Sequence, residues 1–180
     1  MPSPAIKSAL EVVNWFFRQA NVDDTCLENN KIQHLLFLSQ VHYALSHNMQ
    51  HLFPAVFTCN DNGFQEPNIA HILSFGLPLM NPPKINNELS NFLNLIWQKY
   101  SPLSEADLAS IIKSSEAYQS NFSENTNNIV NHNDICRLFK SSLSKKRSVS
   151  TPNKRKILIS QNGPVVVSQW KPRKLGSTSN

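Results

Sequence analysis

The stretch Lys31 to Gln40, with the sequence KIQHLLFLSQ, decides the fold of this chain. Half of its residues are apolar, including the unbroken run Leu35 to Leu38, and apolar residues continue through Leu45. A helix that is apolar around most of its circumference packs in the middle of a bundle. The sequence therefore predicts a buried central helix over residues 31–45.

Helical periodicity dominates the first 143 residues. Apolar residues recur at three- and four-residue steps, and they predict further helices over about residues 4–20, 67–74, 89–100, 104–112 and 133–143. Ser104 and Asp107 form a variant capping box at one helix start. Turn-forming residues between 53 and 67 predict a structured loop, and an Asn-rich spacer covers 125–133. We therefore expect a mainly α fold, a bundle of about six short helices.

Charge divides the chain into two parts. The 180 residues have a net charge of +5, but residues 1–143 contain all twelve acidic side chains and are net −4. Residues 144–180 contain nine Lys and Arg and no acid. We therefore expect a helical domain over 1–143 and a basic linker and extension over 144–180. The high pI gives little reason to assign nucleic-acid binding to the helical domain.

The basic tail contains two triplets, residues 145–147 and 154–156, on either side of a polar segment. Such a composition predicts a solvated linker, and the spacing is also that of a bipartite nuclear import signal. Residues 157–159 and 165–167 flank Asn162-Gly163, which predicts a small β-hairpin. Because two isolated strands are marginal in water, we expect it to dock on the domain or on a partner. The candidate partner-binding residues of the tail are Lys145, Lys146, Arg147, Lys154, Arg155, Lys156 and Trp170.

The sequence contains no catalytic motif. Its four glycines are too scattered for a phosphate-binding loop. The three cysteines, Cys26, Cys59 and Cys136, form no Cys-x-x-Cys pair, so reduced thiols with a minor structural role are expected. We predict a protein that is not an enzyme and uses no cofactor.

The histidines were considered as metal ligands. His47 and His51 are four residues apart and would share a helix face, but the glutamate of a zinc-protease motif is missing. His34 and His42 lie on the central helix, where buried or half-buried histidines that make hydrogen bonds are expected. No metal site is predicted.

The polar residues of the central helix allow two interpretations. Lys31, Gln33 and Gln40 can present a polar stripe to a partner or to the loop around Gly63. Alternatively, the two glutamines satisfy backbone groups of that irregular loop, because a buried amide must be hydrogen-bonded. The second interpretation is favoured.

The sequence predicts a location inside the cell. No stretch approaches the roughly 18 to 20 apolar residues that cross a bilayer. The start, Met1 to Pro4, lacks the basic and then apolar pattern of a secretory signal. We expect a cytoplasmic bacterial protein, with delivery into a host cell as the alternative if the tail is an import signal.

Three blocks of the chain resemble, in order, the SocA-like Panacea antitoxin domain, a phage-associated protein family. The resemblance covers about residues 5–142. Family members have a helix written approximately Lys-Leu-Gln-Lys-Leu-Leu-Tyr-(Phe/Leu)-Ala-Gln, which residues 31–40 follow with His34 in place of a lysine. A later aromatic residue, a tyrosine and a Ser-x-x-(Asp/Glu)-Leu helix start are matched by Trp97, Tyr100 and Ser104 to Leu108.

The middle block departs from the family pattern. The family has an aromatic-Ala pair and a Gly-Pro-Val turn followed closely by a proline. Phe53 to Ala55 and Gly63 to Pro67 occupy these places, and Gly-Phe-Gln replaces Gly-Pro-Val. The candidate partner-binding residues of this diverged loop are Asn60, Asp61, Phe64, Gln65 and Glu66.

The resemblance implies a non-enzymatic antitoxin that neutralises a cognate toxin by direct binding. In some family members this works by delivery of the toxin to an ATP-dependent protease, so an adaptor for proteolysis is implied as well. The expected partner is a toxin or another protein. The alternative is a bacterial effector or a nucleic-acid-binding regulator that acts through the basic tail.

Overall fold

The computed structural model describes residues 3–76, 82–124, 128–149, 156–160 and 163–167. In chain order the elements are α1 (Ala9–Val22), α2 (Asn29–Ser46), β1 (Phe57–Asn60), β2 (Gly63–Gln65), α3 (Pro67–Ser74), α4 (Asn87–Tyr100), α5 (Glu105–Lys113), α6 (Glu116–Asn121), β3 (Asn128–Val130), α7 (His132–Val149), β4 (Lys156–Ser160) and β5 (Gly163–Val167). The predicted mainly α fold is confirmed. None of the helices in these ranges is long and apolar enough to cross a membrane.

Helix α2 lies at the centre of the domain, as predicted. It contacts α1, α3, α4, α5 and strand β2. The fully buried side chains along it include Ile32, Leu35, Leu36, Phe37 and Leu38. Burial of an apolar side chain of this size contributes about 1.5 to 3 kcal/mol, so the packing of α2 stabilises the domain substantially.

The prediction that the first helix begins at residue 4 is wrong. Helix α1 begins at Ala9, and Ser8 Oγ accepts a hydrogen bond from the Leu10 backbone N–H (3.2 Å). The backbone N–H of Ile6 instead donates to the carbonyl oxygen of Leu52 (2.7 Å). Residues before Ser8 therefore bond to the segment after α2, and this tertiary contact replaces the first helical turn.

The predicted structured loop over 53–67 contains a β-hairpin. Strands β1 and β2 are antiparallel with Asn60 opposite Gly63, so only two residues connect them. Strand β3 pairs antiparallel with β1 and places Val130 opposite Phe57, which gives the sheet order β2-β1-β3. Strands of three or four residues leave little periodicity, and the β1–β3 pairing joins distant segments, so sequence analysis missed both features.

The predictions for the middle helices are confirmed. Helix α3 has the predicted bounds, and α4 starts two residues earlier than the predicted residue 89. Helix α5 begins with a capping box in which Ser104 Oγ accepts from the Asp107 N–H (3.1 Å), and Asp107 accepts in return from the Ser104 N–H (3.3 Å). The short helix α6 was not predicted.

The C-terminal part differs from the predicted linker. Helix α7 continues through Val149, so the backbone of residues 145–147 is helical. The chain divides into two compact units, residues 1–144 and 145–180. Within the second unit the predicted hairpin is present, with strands β4 and β5 antiparallel and Ser160 opposite Gly163.

Candidate partner-binding site

Residues 60–65 comprise the end of β1, the two connecting residues and β2, and we call them the turn site. The side chain of Asn60 organises it, because its Oδ1 accepts from the Asn62 N–H (3.0 Å) and its Nδ2 donates to Gln65 Oε1 (2.8 Å). Asp61 and Asn62 are exposed at the tip. The amides of this segment therefore bond to each other and fix the turn, while the tip faces solvent.

Gln33 of helix α2 fixes the backbone of Glu66, the residue that directly follows the turn site. Gln33 Oε1 accepts from the Glu66 N–H (2.9 Å), and its Nε2 donates to the Glu66 carbonyl oxygen (3.4 Å). The Glu66 carboxylate is buried and caps α3, where it accepts from the Ile69 N–H (2.6 Å). The structural interpretation of Gln33 is confirmed, and Glu66 faces inward.

Two aromatic residues fix the other side of the turn site. Phe64 is 1% exposed and stacks on Phe37 of α2, with ring centroids 4.3 Å apart. The Tyr118 hydroxyl of α6 donates to the Asn60 carbonyl oxygen (3.1 Å). Of the five loop residues predicted to bind a partner, Phe64 and Glu66 are therefore buried. Asn60 and Gln65 are half-buried, and Asp61 is exposed.

The remaining polar residues of α2 contact other segments. Gln40 Oε1 accepts from the backbone N–H groups of Leu52 and Phe53 (3.1 and 3.2 Å), and its Nε2 donates to the Phe53 carbonyl oxygen (3.3 Å). Lys31 Nζ donates to the Ser101 carbonyl oxygen (2.8 Å). Gln40 thus satisfies backbone groups as expected, but in residues 52–53 and not around Gly63.

His34 of α2, beside the turn site, differs from its prediction. It is 2% exposed, yet neither Nδ1 nor Nε2 has a hydrogen-bond partner among the described residues. Burial lowers its pKa, while Glu105 raises it and Lys113 lowers it to smaller extents. The expected hydrogen bond is present for His42, whose Nε2 lies 2.7 Å from Tyr100 Oη, but the expectation is wrong for His34.

Gly63 covers the His34 ring. Its φ of +117° is a conformation that other residues adopt only with strain. A Cβ at this position would lie 3.4 Å from His34 Cε1 and 3.5 Å from Ile112 Cγ2. A Cβ here would make ordinary van der Waals contact with the imidazole, so the positive φ is what favours glycine at this position. The polar His34 within an apolar run was the available sequence signal.

A small cavity, which we call the His34 slot, lies beside this ring. Its volume is about 10 Å³. The residues that line it are Asn30, Gln33, His34, Asn60, Asn62, Phe64 and Gln65. A volume of about 10 to 15 Å³ is what one water molecule needs, so the slot accepts a single small polar group.

A second group of imidazoles lies where α7 begins. The rings of His51 and His132 stack with centroids 3.7 Å apart, and Cys136 Sγ is 3.9 Å from His132 Nε2. His47 and His51 do not share a helix face, because α2 ends at Ser46. Across the described ranges, no three or more His, Cys, Asp or Glu side chains are arranged to hold a metal ion.

The cysteines are free thiols. Cys59 and Cys136 are buried, and burial raises their pKa values to about 11 and about 12. Such thiols are protonated at neutral pH and are weak nucleophiles. Cys26 is exposed. The two buried thiols therefore contribute to packing.

The candidate residues of the tail are described only in part. Lys145, Lys146 and Arg147 belong to α7, and Lys156 is the first residue of β4. Lys154, Arg155 and Trp170 lie outside the described residues. The turn site is therefore the only predicted partner-binding region whose side-chain geometry is described.

Comparisons with protein-family models, with curated proteins and with solved structures found no match to this chain. The resemblance to the SocA-like domain therefore stays a prediction.

Proposed function

We propose that this chain is a non-enzymatic, protein-binding antitoxin or adaptor for proteolysis that binds a cognate toxin through the turn site. The observation that carries this proposal is the rigid support of an exposed polar turn. Gln33, Phe37 and Tyr118 fix the turn through three separate contacts, while Asp61 and Asn62 remain in solvent. A surface that is fixed before binding loses less conformational entropy on association.

The resemblance of residues 5–142 to SocA-like domains supports the antitoxin class. At the turn, Gly-Phe-Gln of this chain replaces the Gly-Pro-Val of the family, so a partner bound there meets side chains particular to this chain. Gly63 keeps the family glycine, and Pro67 keeps the following proline as the first residue of α3.

The adjacent open reading frame provides the test. Its product should be toxic when expressed alone, should be neutralised by this chain, and should co-purify with it in a fixed stoichiometry. Asp61→Arg should abolish neutralisation, whereas Glu88→Arg, the same charge change at an exposed residue of α4, should not. A purified chain that retains nucleic acid and no protein would contradict the proposal.

A nucleic-acid-binding regulator is the second candidate, and the charge distribution favours it. Nine cations and no acid lie in residues 144–180. Binding through these charges should weaken steeply with salt, because each neutralised phosphate releases counterions. Removal of residues 144–180 should abolish such binding without affecting a complex made by the turn site.

A further inference from the structure

We propose that His51 and His132 form an acid-sensitive latch, which holds the start of α7 against the segment after α2 and opens when the pair takes up protons. We call these two residues the histidine latch. The latch shares no residue with the turn site, so the inference goes beyond the proposed function and adds a regulatory device to the domain.

The latch joins two segments that are far apart in the chain. The centroids of its rings are 3.7 Å apart, and their planes are 23° from parallel. His132 is the first residue of α7, and its Nε2 donates a hydrogen bond to the Met49 carbonyl oxygen (3.3 Å). Because a carbonyl oxygen only accepts, the proton of neutral His132 lies on Nε2. The ring stack and this hydrogen bond are the contacts that protonation acts on.

Gln40 makes His51 sensitive to protonation. Its Oε1 accepts from the backbone N–H groups of Leu52 and Phe53, so the nitrogen of the amide is the atom that lies 2.9 Å from His51 Nδ1. An amide nitrogen donates, so His51 Nδ1 accepts and carries no proton. In an imidazolium both ring nitrogens are donors, so no rotation of the ring restores this hydrogen bond. Protonation of His51 therefore places two donors against each other in a half-buried position.

The ring stack limits the charge that the closed latch can hold. Two imidazolium rings at 3.7 Å repel each other, so the closed latch binds one proton at most, on His132. Separated and solvated rings both bind protons below the ordinary histidine pKa of 6.5. Opening is therefore coupled to proton uptake, and acid favours the open state. Burial lowers the pKa values of both histidines, and His51 lowers that of His132 further, which agrees with this direction.

Among the described residues, the titratable groups around the latch do not neutralise a positive charge on it. On α7, burial raises the pKa of the Cys136 thiol to about 12, so this close neighbour is uncharged. Asp134 pairs with Arg137 (3.1 Å). At the end of α2, His47 is a further base. Residues 3–7, which bond to the segment after α2, contain one lysine and no acid.

The surroundings let protons reach the latch while the domain stays folded. Both imidazoles are half-buried, and both line a cavity of about 360 Å³. The turn beside them includes Met49 with φ of +64°, which is uncommon for a residue other than Gly, Asn or Asp. The carbonyl oxygen of Met49 is the group that His132 holds, so opening lets this turn relax.

The three cysteines allow a test in the full native chain. Dithiodipyridine, which modifies thiols at acidic as well as neutral pH, is applied in short pulses between about pH 7 and about pH 5. Exposed Cys26 reports the pH dependence of the reagent, and buried Cys59 of β1 reports unfolding of the domain. Cys136, buried in α7 and 3.9 Å from His132 Nε2, reports the latch.

The reactivity of Cys136 relative to Cys26 should rise at least about tenfold as the pH falls from about 6.5 to about 5, because opening takes up one proton or more. Cys59 should stay protected over this range. If Cys59 and Cys136 become reactive together, the whole domain unfolds and the proposal is overturned. Protection of Cys136 across the whole range would overturn it as well.

Two variants assign the effect to the latch. His51→Gln keeps an acceptor for Gln40 and cannot take up a proton, so Cys136 should remain protected at the pH at which the native chain opens. His71→Asn, at an exposed histidine of α3, should open like the native chain. Opening of His51→Gln with the native pH dependence would contradict the proposal.

A third variant covers the case in which His51→Gln does not fold, which reactive Cys59 at neutral pH would reveal. His132→Asn removes the second charge of the open latch, so the reactivity of Cys136 should depend on pH less steeply than in the native chain. An unchanged pH dependence in His132→Asn would show that the ring pair does not control the start of α7.

Discussion

The two ends of α2 place the same side chain in different surroundings. His42 lies against α4, where its Nε2 is 2.7 Å from Tyr100 Oη and its ring packs edge-on against Phe139. His34, eight residues earlier, lies under the turn site and has no hydrogen-bond partner among the described residues. A buried polar group that bonds to its own chain is compensated for its lost hydration, whereas an unsatisfied one lowers the stability of the folded chain.

The neighbouring elements cause this difference. At the His42 end, α4 contributes a tyrosine hydroxyl that reaches the imidazole. At the His34 end, the ring lies beside Gly63, which has no side chain to donate or accept a hydrogen bond. The comparison can therefore be tested by changing each histidine and the residue that covers it.

Acidification should have the largest effect, chiefly through His42. Burial, with a smaller contribution from Lys99, lowers the pKa of His42 to about 4 from the ordinary value of 6.5. Between these pH values the unfolded chain therefore binds more protons than the folded chain. The free energy of unfolding has its full value above pH 6.5 and decreases as the pH falls towards 4. We expect a loss of about 2 to 3 kcal/mol, measured by urea denaturation across that range.

Two variants identify the titrating group. His42→Phe should flatten the pH dependence, and His71→Asn, at an exposed position, should leave it unchanged. Burial lowers the pKa values of His51 and His132 as well, so part of the slope should remain in His42→Phe. If the free energy of unfolding of His42→Phe depends on pH as steeply as that of the native chain, His42 does not control acid stability.

The sequence predicted most of the helical framework because each helix has its own local signal. The apolar run of α2, the stripe of α4 and the Ser104–Asp107 box of α5 are all readable without tertiary information. The start of α1 and the pairing of β1 with β3 depend on distant segments that supply hydrogen bonds. Local periodicity does not contain that information.

The candidate site was predictable only in outline. Turn-forming residues and departure from the family pattern located the segment around Gly63. The inward placement of Phe64 and Glu66, and the unsatisfied ring of His34, depend on how α2, α3 and α6 pack around the turn. These are tertiary properties, so composition and spacing gave no means of separating exposed loop residues from buried ones.

Substitution of the glycine over His34 should have an intermediate effect. Gly63→Ala should cost about 1 to 2 kcal/mol, because the new Cβ adopts an unfavourable φ of +117°. The Cβ would meet His34 and Ile112 at 3.4 and 3.5 Å, which are ordinary van der Waals distances. Gly76→Ala is the matched control, with φ of +92° and nothing within 4 Å, and it should lose a similar amount. A much larger loss at Gly63 in urea denaturation would contradict this and would mean that the packing over His34 does not accommodate a Cβ.

The smallest expected effect is the most informative, because the two ends of α2 should respond with opposite signs. At a pH above 7, His34→Leu should raise the free energy of unfolding by about 1 kcal/mol, since it removes two unsatisfied nitrogens and places an apolar group against Phe64. His42→Phe should lower it by about 1 kcal/mol, because Tyr100 Oη loses its partner in a residue that is only 4% exposed. If His34→Leu also destabilises the domain, then His34 is already satisfied in the free chain, and its contrast with His42 would disappear.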